Sequence, residues 1–231
     1  MNLLASNGAI SVLRRLCTGE ARFKELNEDV INARTLSRRL RELQAEGLVQ
    51  KAGAHYKITA EGFETTLKIV ELEGKTEHKG INSEELAKVR YRWMKISLGR
   101  LTELFLKEFG NELVSIVLYG SAVKGSFQLG RSDVDLLYIL RDDSGNVWQR
   151  EESVFKDFQS KWEYTACDYW LKTQGFYGYP EVTTASLQKS YAKTFQSTYL
   201  DMLSHRAVPY DKEGFFQNLM KKLEEALKAL G

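Results

Sequence analysis

The chain has 231 residues, 43% of them hydrophobic, with 33 Lys and Arg set against 31 Asp and Glu. That apolar content excludes general disorder, and a net charge of +2 excludes a protein that coats nucleic acid indiscriminately. Two cysteines 150 residues apart, Cys17 and Cys167, and three histidines supply neither a disulfide scaffold nor a zinc knuckle. No apolar run reaches the ~20 residues of a bilayer span, and Met1–Gly8 lacks the pattern of a signal peptide. A cytoplasmic protein without a membrane partner is expected.

The elements follow in chain order. Leu3, Ile10, Leu13 and Leu16 make one helical stripe ending near Gly19. Phe23 and Leu26 predict a second, short helix. Leu36, Leu40 and Leu43 mark a third, which Gly47 closes. "VQKAGAHYKIT" then reads as a hairpin turning at Gly53, and a helix is expected over Ala60–Leu72. Helices, a hairpin and a trailing helix together predict a winged helix-turn-helix over residues 1–75. The polar segment Gly74–Ser83 is the linker, placed at 76–83. A long helix, Glu84–Phe109, follows with Ser83 as its cap. The period then shifts to strands over Leu113–Gly120 and Asp133–Leu140. A helix is expected over Gln149–Leu171, a third strand in "YPEVTTASL", and closing helices over Ser186–Ser204 and Gly214–Leu230. The expected whole is a multidomain α+β chain, in which residues 84–231 form a small mixed sheet flanked by helices.

Two places carry chemistry. On the third helix, the leucines take the core side, and Arg34, Arg38 and Arg41 share another face. Arginines so placed neutralise phosphates or pair with guanine edges. Thr35 and Ser37 are candidate phosphate donors, with Lys51 and Lys57 on the hairpin beside them. Duplex DNA is the partner this face suits. At the second place, Asp133 and Asp135 alternate across Val134, so both carboxylates fall on one face of the strand. Such a pair repels unless a cation bridges it, and Mg²⁺ is the natural choice.

The segment "ARFKELNEDVINARTLSRRLRELQAEGLVQKAGAHYKITAEG" resembles winged helix-turn-helix regulators of the HxlR and MarR/ArsR type, over about residues 5–65. That resemblance implies DNA binding, usually as a homodimer, for which the long helix is one candidate interface. "LYGSAVKGSFQLGRSDVDLLYIL" resembles the nucleotidyltransferase superfamily sharing the DNA polymerase β-type palm. There a hydrophobic residue and Gly-Ser precede a spacer and an Asp-hydrophobic-Asp pair, matched here by Gly120, Ser121, Asp133 and Asp135. The resemblance implies that Gly120, Ser121, Lys124 and Ser132 hold a nucleoside triphosphate, ATP by preference. It implies too that Asp133 and Asp135 hold Mg²⁺ or Mn²⁺. A third carboxylate, catalytic and completing the metal site, is expected on a later strand, where Glu181 is the candidate and Asp168 its rival. "RAVPYDKEGFFQNLMKKLEEALKALG" resembles the closing segment of such proteins, with Tyr210 and Asp211 structural. The activity implied is nucleotidyl transfer to a hydroxyl acceptor. The alternative is a nucleotide-sensing regulator whose transferase-like half is inactive.

Overall fold

The computed structural model describes residues 7–28, 32–74 and 80–230. Leu3 and residues 75–79 of the expected linker lie outside the described residues. No helix among the described residues is long and apolar enough to cross a membrane.

The chain forms two compact units. The first comprises residues 1–77 together with 162–178. Its helices α1 (Asn7–Cys17), α2 (Phe23–Glu28) and α3 (Ala33–Ala45) are followed by strands β2 (Val49–Ala52) and β3 (His55–Ile58) and by helix α4 (Ala60–Gly74). The two-residue strand β1 (Ala21–Arg22) pairs with β3, which sets the sheet order β1-β3-β2. Leu36, Leu40 and Leu43 of α3 are all buried, as their spacing requires. Asn32 caps α3, its Oδ1 accepting from the Thr35 N–H at 2.8 Å. This is the winged helix-turn-helix expected from the sequence.

One further helix completes that unit, α9 (Trp162–Thr173). The Trp170 ring stacks on Phe63 with centroids 4.7 Å apart, and the Trp162 indole N–H donates to the Arg14 carbonyl at 3.0 Å. Ala166, Cys167 and Leu171 are buried. The expected single helix over Gln149–Leu171 is therefore two, α8 (Val147–Ser160) and α9, parted where Lys161 turns extended (φ −76°, ψ 150°). Val154 and Phe158 of α8 belong to the second unit, and periodicity cannot register that neighbouring turns serve different cores. The expected division at 76–83 put residues 162–178 with everything later, whereas the compact units group them with residues 1–77.

The second unit holds a mixed four-stranded sheet in the order β6-β5-β4-β7. Strands β4 (Leu113–Tyr119) and β5 (Val134–Leu140) are antiparallel, β7 (Ala207–Asp211) is antiparallel to β4, and β6 (Val182–Gln188) runs parallel to β5. On one face Tyr138 meets Phe105 and Phe109 of α6 (Arg92–Phe109). On the other, Val117, Leu137 and Ile139 pack with Tyr199 and Met202 of α10 (Thr198–Ser204) and Phe216 and Met220 of α11 (Phe215–Leu230).

Two further expectations are corrected. The long helix 84–109 is broken into α5 (Ser83–Leu86), capped by Asn82 rather than Ser83, and α6. Leu86 folds back toward Gly99, where a Cβ would meet its Cδ1 at 3.5 Å. A straight helix keeps these residues apart, and Gly99 itself does not interrupt α6. The expected helix over Ser186–Ser204 contains the end of β6, a 3₁₀ turn at Tyr191–Lys193 and only then α10. Residues 207–211, between the two expected closing helices, form a strand that pairs with β4. Asp211 is structural, as expected: Oδ1 accepts from Ser115 Oγ at 2.7 Å and Phe216 N–H at 2.9 Å, and Oδ2 accepts from Gln217 N–H at 3.0 Å. It ties β4 to the start of α11.

Candidate functional site

The carboxylate pair sits where β4 ends and β5 begins. Tyr119, the last residue of β4, is the register partner of Asp135. The chain then turns at Gly120 with φ +68°, a left-handed conformation that favours glycine. A Cβ at Gly120 would fall on Asp135 Oδ2. Two physical demands thus converge on one glycine, and they pack the Gly-Ser turn directly against the second aspartate. Ser121 opens the short helix α7 (Ser121–Lys124), whose Lys124 N–H donates to the Gly120 carbonyl at 3.0 Å.

Asp133 is exposed and Asp135 half-buried. Burial pushes the Asp135 carboxyl above the usual range, the Asp133 charge adds to this, and Lys124 opposes it. Burial raises the Tyr119 phenol as well, and the Asp135 charge reinforces it. Lys124 Nζ lies 3.2 Å from Asp201 Oδ1, an acid on α10 that the sequence does not reveal because nothing local ties residues so far apart. Ser132 serves the loop, its Oγ accepting from the Gln128 N–H at 3.0 Å.

Glu181 immediately precedes β6, and its backbone carbonyl accepts from the Val134 N–H at 2.8 Å. It is exposed. Among the described residues no group of three or more His, Cys, Asp or Glu side chains is placed to hold a metal. The structure therefore brings Asp133 and Asp135 together without assembling a third carboxylate beside them. Asp168, the rival, belongs to the first unit and pairs with Lys172 at 2.7 Å. A separate cleft of about 430 Å³ lies at the far ends of the strands, lined in part by Val114, Arg141, Lys189 and Lys212; it includes none of these site residues.

On the first unit, Arg34, Arg38 and Arg41 are exposed, and Thr35 and Ser37 are half-buried. Arg38 Nε lies 3.8 Å from Glu42, and Arg41 Nε donates to the Ser37 carbonyl at 3.3 Å. The neighbouring Arg39 is buried and pairs with Glu42 at 2.7 Å, so it belongs to the scaffold. On the wing, Lys51 is exposed, its Nζ 5.8 Å from the Tyr56 ring centroid. Lys57 is paired with Glu20 at 2.8 Å. A hydrogen bond from Lys57 holds the Glu20 carboxyl below its usual range, and the same bond holds Lys57 above its own.

Residues 3–79 match the family model described as HxlR-like helix-turn-helix, and residues 100–174 that of the nucleotidyltransferase domain. The chain joins an HxlR-type helix-turn-helix to a nucleotidyltransferase domain. The second match spans β4, the Gly-Ser turn, both aspartates and all of α9. The four-stranded sheet with its flanking helices is the polymerase-β-like fold of that domain. No curated protein matches the chain. A similar solved structure is described as the crystal structure of the toxin-antitoxin with AMP-PNP; it is 12% identical, covers 57% of this chain and 87% of its own, and has a TM-score of 0.36.

Proposed function

We propose that the nucleotidyltransferase domain transfers a nucleotidyl group from a nucleoside triphosphate, ATP by resemblance, to a hydroxyl acceptor, while the helix-turn-helix holds duplex DNA. The packing of Gly120 against Asp135 carries this reading. It makes the Gly-Ser turn and the carboxylate pair one unit, as a triphosphate site requires. Two carboxylates on one strand face, one of them desolvated, are hard oxygen donors that fit Mg²⁺ or Mn²⁺. Asp133 and Asp135 would hold the ion. When bound, it would neutralise phosphate charge and lower the pKa of the acceptor hydroxyl.

The chain's own residues do the rest. Gly120 lets the turn pack against Asp135, and the Ser121 hydroxyl donates to a phosphate oxygen. Lys124 exchanges Asp201 for phosphate. Transfer forms one phosphorus–oxygen bond to the acceptor and releases pyrophosphate. Arg34, Arg38 and Arg41, with Thr35, Ser37 and Lys51, supply the DNA contacts. Lys57 contributes only by leaving Glu20. The test is incubation of the full chain with α-labelled triphosphate, Mg²⁺ and nucleic-acid, protein or small-molecule hydroxyls. Label transfer by the wild type and none by Asp133→Asn/Asp135→Asn is expected; equal transfer by both sinks the reading.

One observation favours a second reading, a regulator that binds nucleotide without turnover. The described residues place no third carboxylate beside the pair. Glu181→Gln separates the two. If Glu181 serves as ligand or base, the variant loses pyrophosphate release and keeps nucleotide affinity. In a sensor, wild type and variant bind alike and release none.

A further inference from the structure

The two edges of the four-stranded sheet are finished differently. At β7 the edge is closed. The Asn82 N–H donates to the Pro209 carbonyl at 2.8 Å, the Glu85 carboxylate accepts the Val208 N–H at 2.8 Å, and Pro209 has no N–H to offer. Among the described residues, β6, the opposite edge, carries no such device. Its sequence, Val-Thr-Thr-Ala-Ser-Leu-Gln, contains neither a charge nor a proline. Among the described residues, no backbone hydrogen bond from another segment reaches its outer side.

The groups left open can be named. Val134 N–H donates to the Glu181 carbonyl, and Lys189 N–H to the Leu140 carbonyl. In a parallel ladder, that alternation turns the backbone groups of the odd-numbered residues toward β5. Val182, Thr184, Ser186 and Gln188 therefore aim theirs away from the sheet. A seven-residue uncharged edge with its hydrogen-bonding groups in register is a template for another strand.

We propose that this edge pairs with the same edge of a second copy of the chain, antiparallel about a two-fold axis at Ala185. An isologous contact joins each residue to its mirror position across the axis. With the axis at Ala185, Val182 faces Gln188 of the second copy and Thr184 faces its Ser186, so every outward group meets an outward group. Of the registers that satisfy this condition, the one centred on Ala185 uses the whole of β6. It also sets Glu181 opposite Lys189 at both ends, acid against base. At the axis, Ala185 meets itself in a pair that exchanges no hydrogen bonds, where side chains approach most closely. Ala185 is small and exposed, as such a position requires. The interface lies within the second unit and uses none of Gly120, Ser121, Asp133 and Asp135.

Light scattering during gel filtration of the full chain tests this, with hydrogen exchange beside it. The wild type is expected at twice the chain mass. Ala185→Lys and Ala185→Glu each set like charges at the axis, and each is expected at the single-chain mass with an unchanged circular dichroism spectrum. Their equimolar mixture is expected to return to twice that mass. In the wild type, dilution should accelerate exchange at Val182, Thr184, Ser186 and Gln188, while Thr183, Ala185 and Leu187 stay protected by β5. A single-chain wild type at every concentration, a dimer that survives both charge variants, or a mixture that stays monomeric overturns the proposal. Should the charge variants misfold, the exchange pattern decides: no alternation along β6 overturns it.

Discussion

The Asp135 carboxylate occupies the space that a Cβ at Gly120 would take. Any side chain at Gly120 must displace the carboxylate and adopt a left-handed backbone. Gly120→Ala is expected to leave overall secondary structure intact and to lose Mg²⁺-dependent triphosphate binding, measured by calorimetry. Binding equal to wild type would show that the turn and the pair act separately. Arg150 is a second residue with a definable role. Its Nη1 meets Glu112 at 2.8 Å, its Nη2 donates to the Glu108 carbonyl at 2.7 Å, and its guanidinium lies 4.4 Å from the Phe109 ring centroid. The bond from Arg150, with help from Ser144, holds the Glu112 carboxyl below the usual range. A depressed folded pKa stabilises above the unfolded value and loses that contribution as pH falls through the folded one. Glu112→Gln should therefore melt lower than wild type at pH 7, and the gap should close below pH 4.5, the ordinary glutamate value. A gap constant down to pH 3 would refute the assignment. The pair is partly exposed and screened, so the effect is small.

Among the elements, α3 divides most clearly into a core face and a free face. Leu40→Ala removes a buried side chain and should cost about 2–5 kcal/mol in denaturant unfolding. Arg38→Ala/Arg41→Ala touches only exposed groups and should leave the melting temperature close to wild type. It should lower duplex affinity and make the log–log salt dependence shallower by about 0.9 for each phosphate no longer neutralised. Fluorescence anisotropy at several salt concentrations measures both quantities, and an unchanged slope would exclude this face. Helix α9 makes a different demand. Cys17 is buried, and burial pushes its thiol up to about 12; the Cys167 thiol of α9 is raised by burial as well. In the full chain neither should react with a thiol reagent at pH 8. A fragment of residues 1–79 lacks α9, so its Cys17 should be labelled readily and its apolar face should bind a hydrophobic dye. A fragment as inert as the full chain would show that α9 is dispensable to the first unit.

For the whole molecule, the nucleotide and DNA readings predict separable losses. Asp133→Asn/Asp135→Asn removes like-charge repulsion, so without divalent ions its melting temperature should equal or slightly exceed that of wild type. It should lose Mg²⁺-dependent triphosphate binding while its affinity for duplex DNA without nucleotide stays unchanged. A variant that loses both would show that the aspartates serve folding rather than ligand.

The sequence by itself determined the elements whose signal is local. The leucine stripe of α3, the hairpin, and the Gly-Ser and Asp-Val-Asp motifs were legible because helix and strand periods write burial into neighbouring residues. Tertiary structure decided whatever depends on residues far apart in the chain. It broke the helix expected over 84–109 so that Leu86 could reach Gly99, and it divided 149–171 between two cores. It made 207–211 a strand because β4 offered an edge to pair. It engaged Lys124 with Asp201 and Lys57 with Glu20, and among the described residues it left Glu181 outside any group of three metal-ligating side chains. A single helical period describes one face against one core; which core, and which distant charge faces it, is settled only when the chain folds back on itself.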